Sequence, residues 1–281
     1  MKFAVPQEMT VLQALRELSP ESSQNTLRSW IQKGRVAIGG KIALRANALI
    51  VQGQEIVVKP KSHFIEQDVK VLFKDEHLIV VEKPEGMLSV ATDFQIRGTL
   101  HDILKRRFHA QRIFPVHRLD RETSGVMVFA YTNAARVGLK KQFAEHTIER
   151  MYAAVIEGAL AEKTGIWKSR LTEDDLYFVK STNAESGRIA ITHYQVLHQT
   201  PKFSFLKLRL ETGRKNQIRV HCSEAGHPVA GDEKYGAQGE GPLKRLGLHA
   251  CLLAFEHPVK GKKMTFESPI PEIFYKPFKV R

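Results

Sequence analysis

His117-Arg118-Leu119-Asp120-Arg121-Glu122-Thr123-Ser124-Gly125 sets one carboxylate between two guanidiniums, directly ahead of the apolar run Val126-Met127-Val128-Phe129-Ala130. Flanking cations favour an ionised Asp120, and a planar guanidinium at Arg118 or Arg121 suits phosphate or base contacts. A surface ion-pair network is the plain alternative for such a string. Charge of that density at the edge of a buried strand nevertheless reads first as a site. Several chemistries are unsupported. No G-x-x-x-x-G-K-[ST] loop and no G-x-G-x-x-G after a strand is present, which argues against nucleotide-triphosphate and dinucleotide binding. A kinase loop needs H-R-D and a D-F-G, whereas the chain has His117-Arg118-Leu119 and no D-F-G. No G-x-S-x-G elbow makes Ser124 a nucleophile, so Ser124-Gly125 reads as turn chemistry. No Cys pair has metal-ligand spacing and the histidines are scattered, so no metal is expected.

The composition narrows the partner. Across 281 residues the formal net charge is +13, on an ordinary background of 42% apolar and 26% charged residues. Such an excess implies a polyanion, because each Lys or Arg laid on a phosphate releases a counterion. A membrane surface is the weaker alternative, since no apolar run approaches a spanning length. The first residues, Met1-Lys2-Phe3-Ala4-Val5-Pro6, resemble neither a signal peptide nor a transit peptide. The cysteines, Cys222 and Cys251, read as free thiols in a reducing compartment. A cytoplasmic protein directed at nucleic acid is the expectation.

The elements that must position Asp120 fall into two regions. In residues 1–60, Thr10 caps a helix bearing Val11, Leu12, Leu15 and Leu18 on one face. Ser22-Ser23-Gln24-Asn25 opens a second helix with Leu27, Trp30 and Ile31 inward and Gly34 at its end. Val36-Ala37-Ile38, a Gly39-Gly40 turn and Glu55-Ile56-Val57-Val58 then read as short strands. This region holds eight Lys/Arg against four Asp/Glu, and Arg28, Lys33, Arg35, Lys41 and Arg45 cluster from helix to hairpin as an RNA-contact surface. Residues 61–69 read as a linker, and 70–281 as the domain holding the chemistry. There Leu78-Ile79-Val80-Val81 is a buried strand, Thr99 and Asn133 cap helices, and Met151 to Ile156 and Phe203 to Leu210 are strands. Gln217 to Ala225 reads as a helix stopped by Gly226 and Pro228, with late strands at 248–255 and 263–266. Strands and helices without regular alternation predict an α+β fold with a mixed, largely antiparallel sheet.

The first region resembles the compact RNA-binding domain named after the small-subunit ribosomal protein S-four. The likeness lies in two short helices followed by Trp30-Ile31-Gln32-Lys33-Gly34-Arg35-Val36 and Gly53-Gln54-Glu55-Ile56, with Gly39 where that family usually has a polar residue such as Asn. The rest carries ordered motifs: Val80-Val81-Glu82-Lys83-Pro84, the Asp120 cluster, Arg150-Met151-Tyr152, Thr212-Gly213-Arg214-Lys215-Asn216-Gln217-Ile218-Arg219-Val220-His221, and Gly226-His227-Pro228-Val229-Ala230-Gly231-Asp232. Together these resemble the RluA-type family of RNA pseudouridine synthases over residues 70 to about 270.

The resemblance implies cofactor-free isomerisation of uridine to pseudouridine in RNA, with ribosomal RNA favoured over transfer RNA and the large subunit favoured as its source. The base must be flipped out of a stacked strand, which costs roughly a few kcal/mol, and Arg118 is implied to support the flipped nucleotide. Asp120 is the implied essential carboxylate. It could attack ribose, attack uracil or abstract a ribose proton, and the sequence does not choose among these. Arg219 is implied to pair with Asp120 and keep it ionised, and Tyr152 to lie against the uracil ring. His117, Arg121, Lys83, Arg214 and Gln217 complete the expected substrate-binding set, with packing or hydrogen bonding favoured over base chemistry for His117, a structural role in the pocket wall over a direct one for Lys83, and a structural or phosphate contact for Arg121. Many relatives carry Thr-His where this chain has Lys215-Asn216, a difference expected to bear on substrate preference and not on chemistry. A non-catalytic RNA-binding assembly factor on the same fold and a nucleic-acid glycosidase remain as alternatives.

Overall fold

Leu78 to Val81 and Val126 to Ala130 are apolar at every position and buried on both faces, the property of interior strands. A computed structural model describes residues 2–32, 36–39, 41–42, 46–58, 69–92, 95–175, 177–237 and 243–278. The chain divides into two compact units, Met1–Glu66 and Gln67–Arg281. Of the linker expected over 61–69, residues 61–68 lie outside the described ones.

Unit 1 runs β1 (Lys2–Ala4), β2 (Met9–Thr10), α1 (Val11–Leu18), α2 (Gln24–Gln32), β3 (Val36–Ile38), β4 (Lys41–Ile42), β5 (Leu49–Ile50) and β6 (Glu55–Val58). The order β1-β6-β3-β4 forms an antiparallel sheet, and β2 pairs with β5. Thr10 caps α1 reciprocally: its hydroxyl accepts from Gln13 N while its own N–H donates to Gln13 Oε1 at 2.8 Å. Ala14 and Leu15 of α1 and Leu27 and Ile31 of α2 bury with Val36, Ile50 and Ile56. Gly34 and Gly40, expected at a helix end and a turn, lie outside the described residues.

Unit 2 contains β7 (Lys70–Lys74), β8 (Leu78–Lys83), α3 (Leu100–Arg107), β9 (Phe114–Pro115), β10 (Ser124–Ala130), α4 (Asn133–Ala144), β11 (Glu149–Glu157), β12 (Thr164–Glu173), β13 (Val179–Ser181), β14 (Arg188–Gln199), β15 (Phe203–Leu210), α5 (Gln217–Glu224), β16 (Leu248–Glu256) and β17 (Lys263–Glu267). Its sheet follows β13-β12-β14-β15-β11-β16-β10-β8-β7, with β17 beside β16 and β9 beside β10. The pairing of β10 with β16 is parallel, and the other described pairs of this sheet are antiparallel. The fold is thus α+β around a large, mostly antiparallel sheet. Gly125, Ala250, Tyr152 and Leu208 lie in one row across β10, β16, β11 and β15, and the register shifts between Met151 and Tyr152.

Two local expectations are corrected. Thr132, not Asn133, caps α4: its extended backbone lets its hydroxyl accept from Ala135 N, and Asn133 is already helical. Ser124-Gly125 is strand, not turn. Gly125 has φ +121°, and a Cβ there would stand 2.1 Å from Ala250 O, so glycine is what lets β16 lie against β10.

Candidate active site

Asp120 stands on the segment joining β9 to β10, and the odd-numbered residues around it are fixed from below. The Ser89 hydroxyl donates to Leu119 O at 2.6 Å and accepts from Leu119 N at 3.0 Å. His117 Nε2 accepts from Val128 N at 3.0 Å while its ring stacks on Phe143 with 4.7 Å between centroids. Burial pushes this imidazole down to about 3, so it is a neutral packing and hydrogen-bonding residue. Lys83 donates to Arg121 O at 2.9 Å, Pro84 O at 2.8 Å and Met87 O at 2.7 Å. Burial pulls its ammonium down to about 7, opposed by Glu122 and Asp120. With all three N–H groups committed to carbonyls and no exposure, Lys83 is not brought to the cleft; it ties down the loop carrying Asp120.

Above this anchored loop lies a cleft of about 470 Å³ whose lining includes Arg118, Asp120, Arg150, Tyr152, Arg214 and Arg219. Arg118 is exposed at its edge. Arg121 is not part of the lining: its guanidinium turns away and donates to Gln95 Oε1 at 2.8 Å. Tyr152 reaches the cleft from β11, and burial pushes its phenol up to about 12, so the ring is an uncharged phenol at neutral pH.

Arg219, on the first turn of α5, is brought to Asp120, with Nη1 3.7 Å from Oδ2. Its principal partner is another carboxylate. Asp232, fully buried at its side chain, accepts from Arg219 Nε at 2.7 Å and Nη2 at 2.6 Å, a bidentate charge-assisted pair. Burial raises the Asp120 carboxyl above its ordinary value, and Arg219 and Arg118 oppose that rise without cancelling it. Of the two flanking arginines, Arg118 favours the ionised form while Arg121 is turned to Gln95, and Arg219, which also favours it, is shared with Asp232.

Sequence reasoning missed Asn216. It sits just before α5 with φ +54°, a left-handed conformation Asn tolerates better than most side chains. With its amide nitrogen facing the carboxylate, it donates to Asp120 Oδ2 at 2.8 Å and Oδ1 at 3.2 Å and accepts from the Tyr235 hydroxyl at 3.0 Å. That assignment satisfies both ends of the amide. Tyr235 Oη in turn accepts from Val179 N at 3.2 Å, so donors run in one direction from β13 to Asp120. The position set aside as bearing only on substrate preference touches the central carboxylate. Asp232 was visible within a motif but carried no assigned role, and no spacing rule pairs it with Arg219.

Gln217 lines the cleft, yet its amide is fully used within the protein. Its oxygen accepts from Thr212 Oγ1 and Arg214 N, and its nitrogen donates to Ile191 O and Thr192 Oγ1. It shapes the approach to α5 and leaves no donor or acceptor for substrate. Arg214 Nε donates to Ile189 O at 3.0 Å, and its guanidinium remains on the cleft wall. In unit 1, Arg28 is exposed on α2. Lys41 lies in β4 with its side chain outside the described residues, as are Lys33 and Arg35.

A half-buried carboxylate beside a tyrosine, a clamped arginine and an exposed one thus share one cleft of a large antiparallel sheet, and the chain as a whole is similar to known proteins. The family model for RNA pseudouridylate synthase matches residues 77–224. The ribosomal large subunit pseudouridine synthase D of Pseudomonas aeruginosa is 31% identical over 93% of this chain and 88% of its own length. The enzyme of the same name from Nitrosomonas europaea is 33% identical over 97% and 85%. Among solved structures, human RNA Pseudouridylate Synthase Domain Containing 4 superposes with a TM-score of 0.60 at 25% identity, covering 73% of this chain and 90% of that one. The chain belongs to the RNA pseudouridylate synthase family and is an RNA pseudouridine synthase.

Proposed function

We propose that this protein isomerises specific uridines of large-subunit ribosomal RNA, with Asp120 as the essential carboxylate acting on a flipped-out nucleotide. One observation carries the reading: Asp120 is the carboxylate lining the cleft, and it receives both a hydrogen bond from Asn216 and the charge of Arg219. Uracil leaves ribose carbon 1′ and returns through its own carbon 5, so the leaving group is the next nucleophile and one carboxylate suffices. Arg118, exposed at the cleft edge, supports the displaced nucleotide. Tyr152 lies against the uracil ring as a neutral phenol. Arg219 orients Asp120 while Asp232 orients Arg219. Arg214 binds substrate from the wall, whereas Lys83 and Gln217 serve by holding the loops that carry Asp120 and α5.

Support for a large-subunit ribosomal substrate comes from the names of relatives aligned over most of both chains. Unit 1, with two short helices on a small antiparallel sheet, serves as an S-four-like RNA-binding domain, and Arg28 belongs to its contact surface. The protein works as a monomer in the cytoplasm. No helix among the described residues is long and apolar enough to cross a membrane. The deciding experiment is tritium release from unmodified large-subunit ribosomal RNA labelled at uracil carbon 5. Release with pseudouridine formed is expected. Free uracil and an abasic product would mark a glycosidase, and RNA binding without release would mark a non-catalytic assembly factor.

A further inference from the structure

Arg150 is a buried cation without an anion. On β11, two residues before Tyr152, it is only 7% exposed. Its Nη2 donates to Glu211 O at 2.8 Å, its Nε is buried with no acceptor, and among the described residues no carboxylate lies within ion-pair distance of it. Arg219 and Arg245, also largely buried, each hold a carboxylate, Asp232 and Glu85. Arg150 has instead the Phe143 ring, 5.8 Å from its guanidinium carbon, and a second cation, Arg214; burial and Arg214 work against its charge, and among the described residues only the neutral Tyr152 phenol favours it. A guanidinium cannot escape by losing its proton. A buried charge left uncompensated in the free protein is therefore a standing cost, and it is relieved when an anion enters.

The surroundings say where such an anion would come from. Arg150 and Arg214 both line the cleft that contains Asp120 and Tyr152. Past them the cleft shares His146, Leu210 and Arg214 with a second hollow of about 830 Å³, whose walls carry Arg209 together with the carboxylates of Glu149 and Glu211, so that Arg150 and Arg214 at its mouth are where a phosphate is best matched. Gly213 keeps the guanidinium in place by having no side chain, since a Cβ there would stand 2.4 Å from Arg150 Nη1. A strand of RNA that leaves its target base at Asp120 and continues into the second hollow must carry its backbone past these two arginines. Paired guanidiniums are well matched to phosphate oxygens.

We propose that Arg150, together with Arg214, is the seat of one backbone phosphate of the RNA strand, that of the nucleotide adjacent to the target on the side of the second hollow. This rests on the reading that Asp120 marks where the target base sits. Arg150 is a binding and positioning residue, and the phosphate supplies the counter-charge the protein lacks.

The test uses the full chain and an unmodified large-subunit ribosomal RNA transcript labelled with tritium at uracil carbon 5. Filter binding at several KCl concentrations is read beside tritium release and thermal melting. Arg150→Met is expected to weaken binding about tenfold, the worth of one charge-assisted hydrogen bond. The slope of log affinity against log salt should become shallower by about one contact. Arg150→Lys should keep that slope, and Gly213→Ala, which displaces the guanidinium, should lose part of it. The losses should fall on the half-saturating RNA concentration more than on the rate at saturation. Melting of Arg150→Met without RNA should be unchanged or raised, because a buried unpaired charge has been removed. A salt slope equal to that of the unsubstituted protein in Arg150→Met overturns the proposal. So does a lowered melting point with unchanged RNA affinity, which marks a scaffold residue. Retained tritium release in Asp120→Asn would instead overturn the assignment of the reacting carboxylate and leave the filter-binding result standing.

Discussion

Asp232 holds Arg219 through hydrogen bonds of 2.6 and 2.7 Å, and Arg219 reaches Asp120 with Nη1 at 3.7 Å. The cation that reaches Asp120 is therefore aimed by a carboxylate that has no exposure of its own. Asp232→Asn should leave a largely buried guanidinium short of its counter-charge. A loss of about 3 kcal/mol in urea unfolding is expected, with a fall in single-turnover tritium release as Arg219 loses its aim.

Asp120→Asn should abolish tritium release while RNA is still bound. The sign of its effect on stability follows from the raised carboxyl of Asp120. The folded state holds this proton more tightly than the unfolded chain does. The associated stability is complete below the ordinary aspartate range, near pH 4, and is lost as pH rises through the raised value. At neutral pH the ionised carboxylate weakens the fold. Asp120→Asn should accordingly melt at a higher temperature than the unsubstituted protein at pH 7, and the gain should disappear in acid.

Asn216→Asp replaces a donor to Asp120 with a second carboxylate at hydrogen-bonding distance. Like charges so close cannot both ionise freely. The acid limb of the pH–rate profile should move upward by about one unit or more, with reduced turnover at neutral pH. A profile unmoved by this change would show that the Asn216 amide does not act on Asp120.

Gly125→Ala forces a left-handed φ on an L-residue and drives its Cβ into the backbone of Ala250. Neither can be relieved by a side-chain rotation. A loss of more than about 2 kcal/mol is expected, together with lowered activity, because Asp120 lies five residues upstream on the loop that enters this strand.

Removing residues 1–60 should lower RNA affinity and flatten its salt dependence more than it harms the fold of the remainder, as measured by filter binding and by melting of the shortened chain. An unchanged salt slope would count against an RNA-contact role for unit 1.

The helices at 11–18, 100–107 and 217–224 and the apolar strands were legible because caps and unbroken apolar runs are local signals. Asp120, Tyr152 and Arg219 were legible as motif members, and the cleft brings all three together. Motif position separates Arg118 from Arg121 where spacing alone does not, and of the two Arg118 lines the cleft. The structural role favoured for Lys83 agrees with the three carbonyls that take its donors. What escaped was decided by side-chain direction. Asn216 gained its contact through a left-handed backbone turn and a tyrosine nineteen residues away, and neither leaves a periodic trace.

The row Gly125–Ala250–Tyr152–Leu208 makes the sheet a ruler. Neighbouring strands keep a spacing of roughly 4.8 Å, so the gap between the strand entered from Asp120 and the strand bearing Tyr152 is two such intervals, filled by Ala250. That distance is set by backbone hydrogen bonding, which any sequence of the right shape can supply. Loops and hairpins around the rim can therefore lengthen or change without altering the spacing between the strand entered from Asp120 and the strand bearing Tyr152. A shift of register by one residue in β16 would keep that spacing but slide Tyr152 along the sheet relative to Asp120.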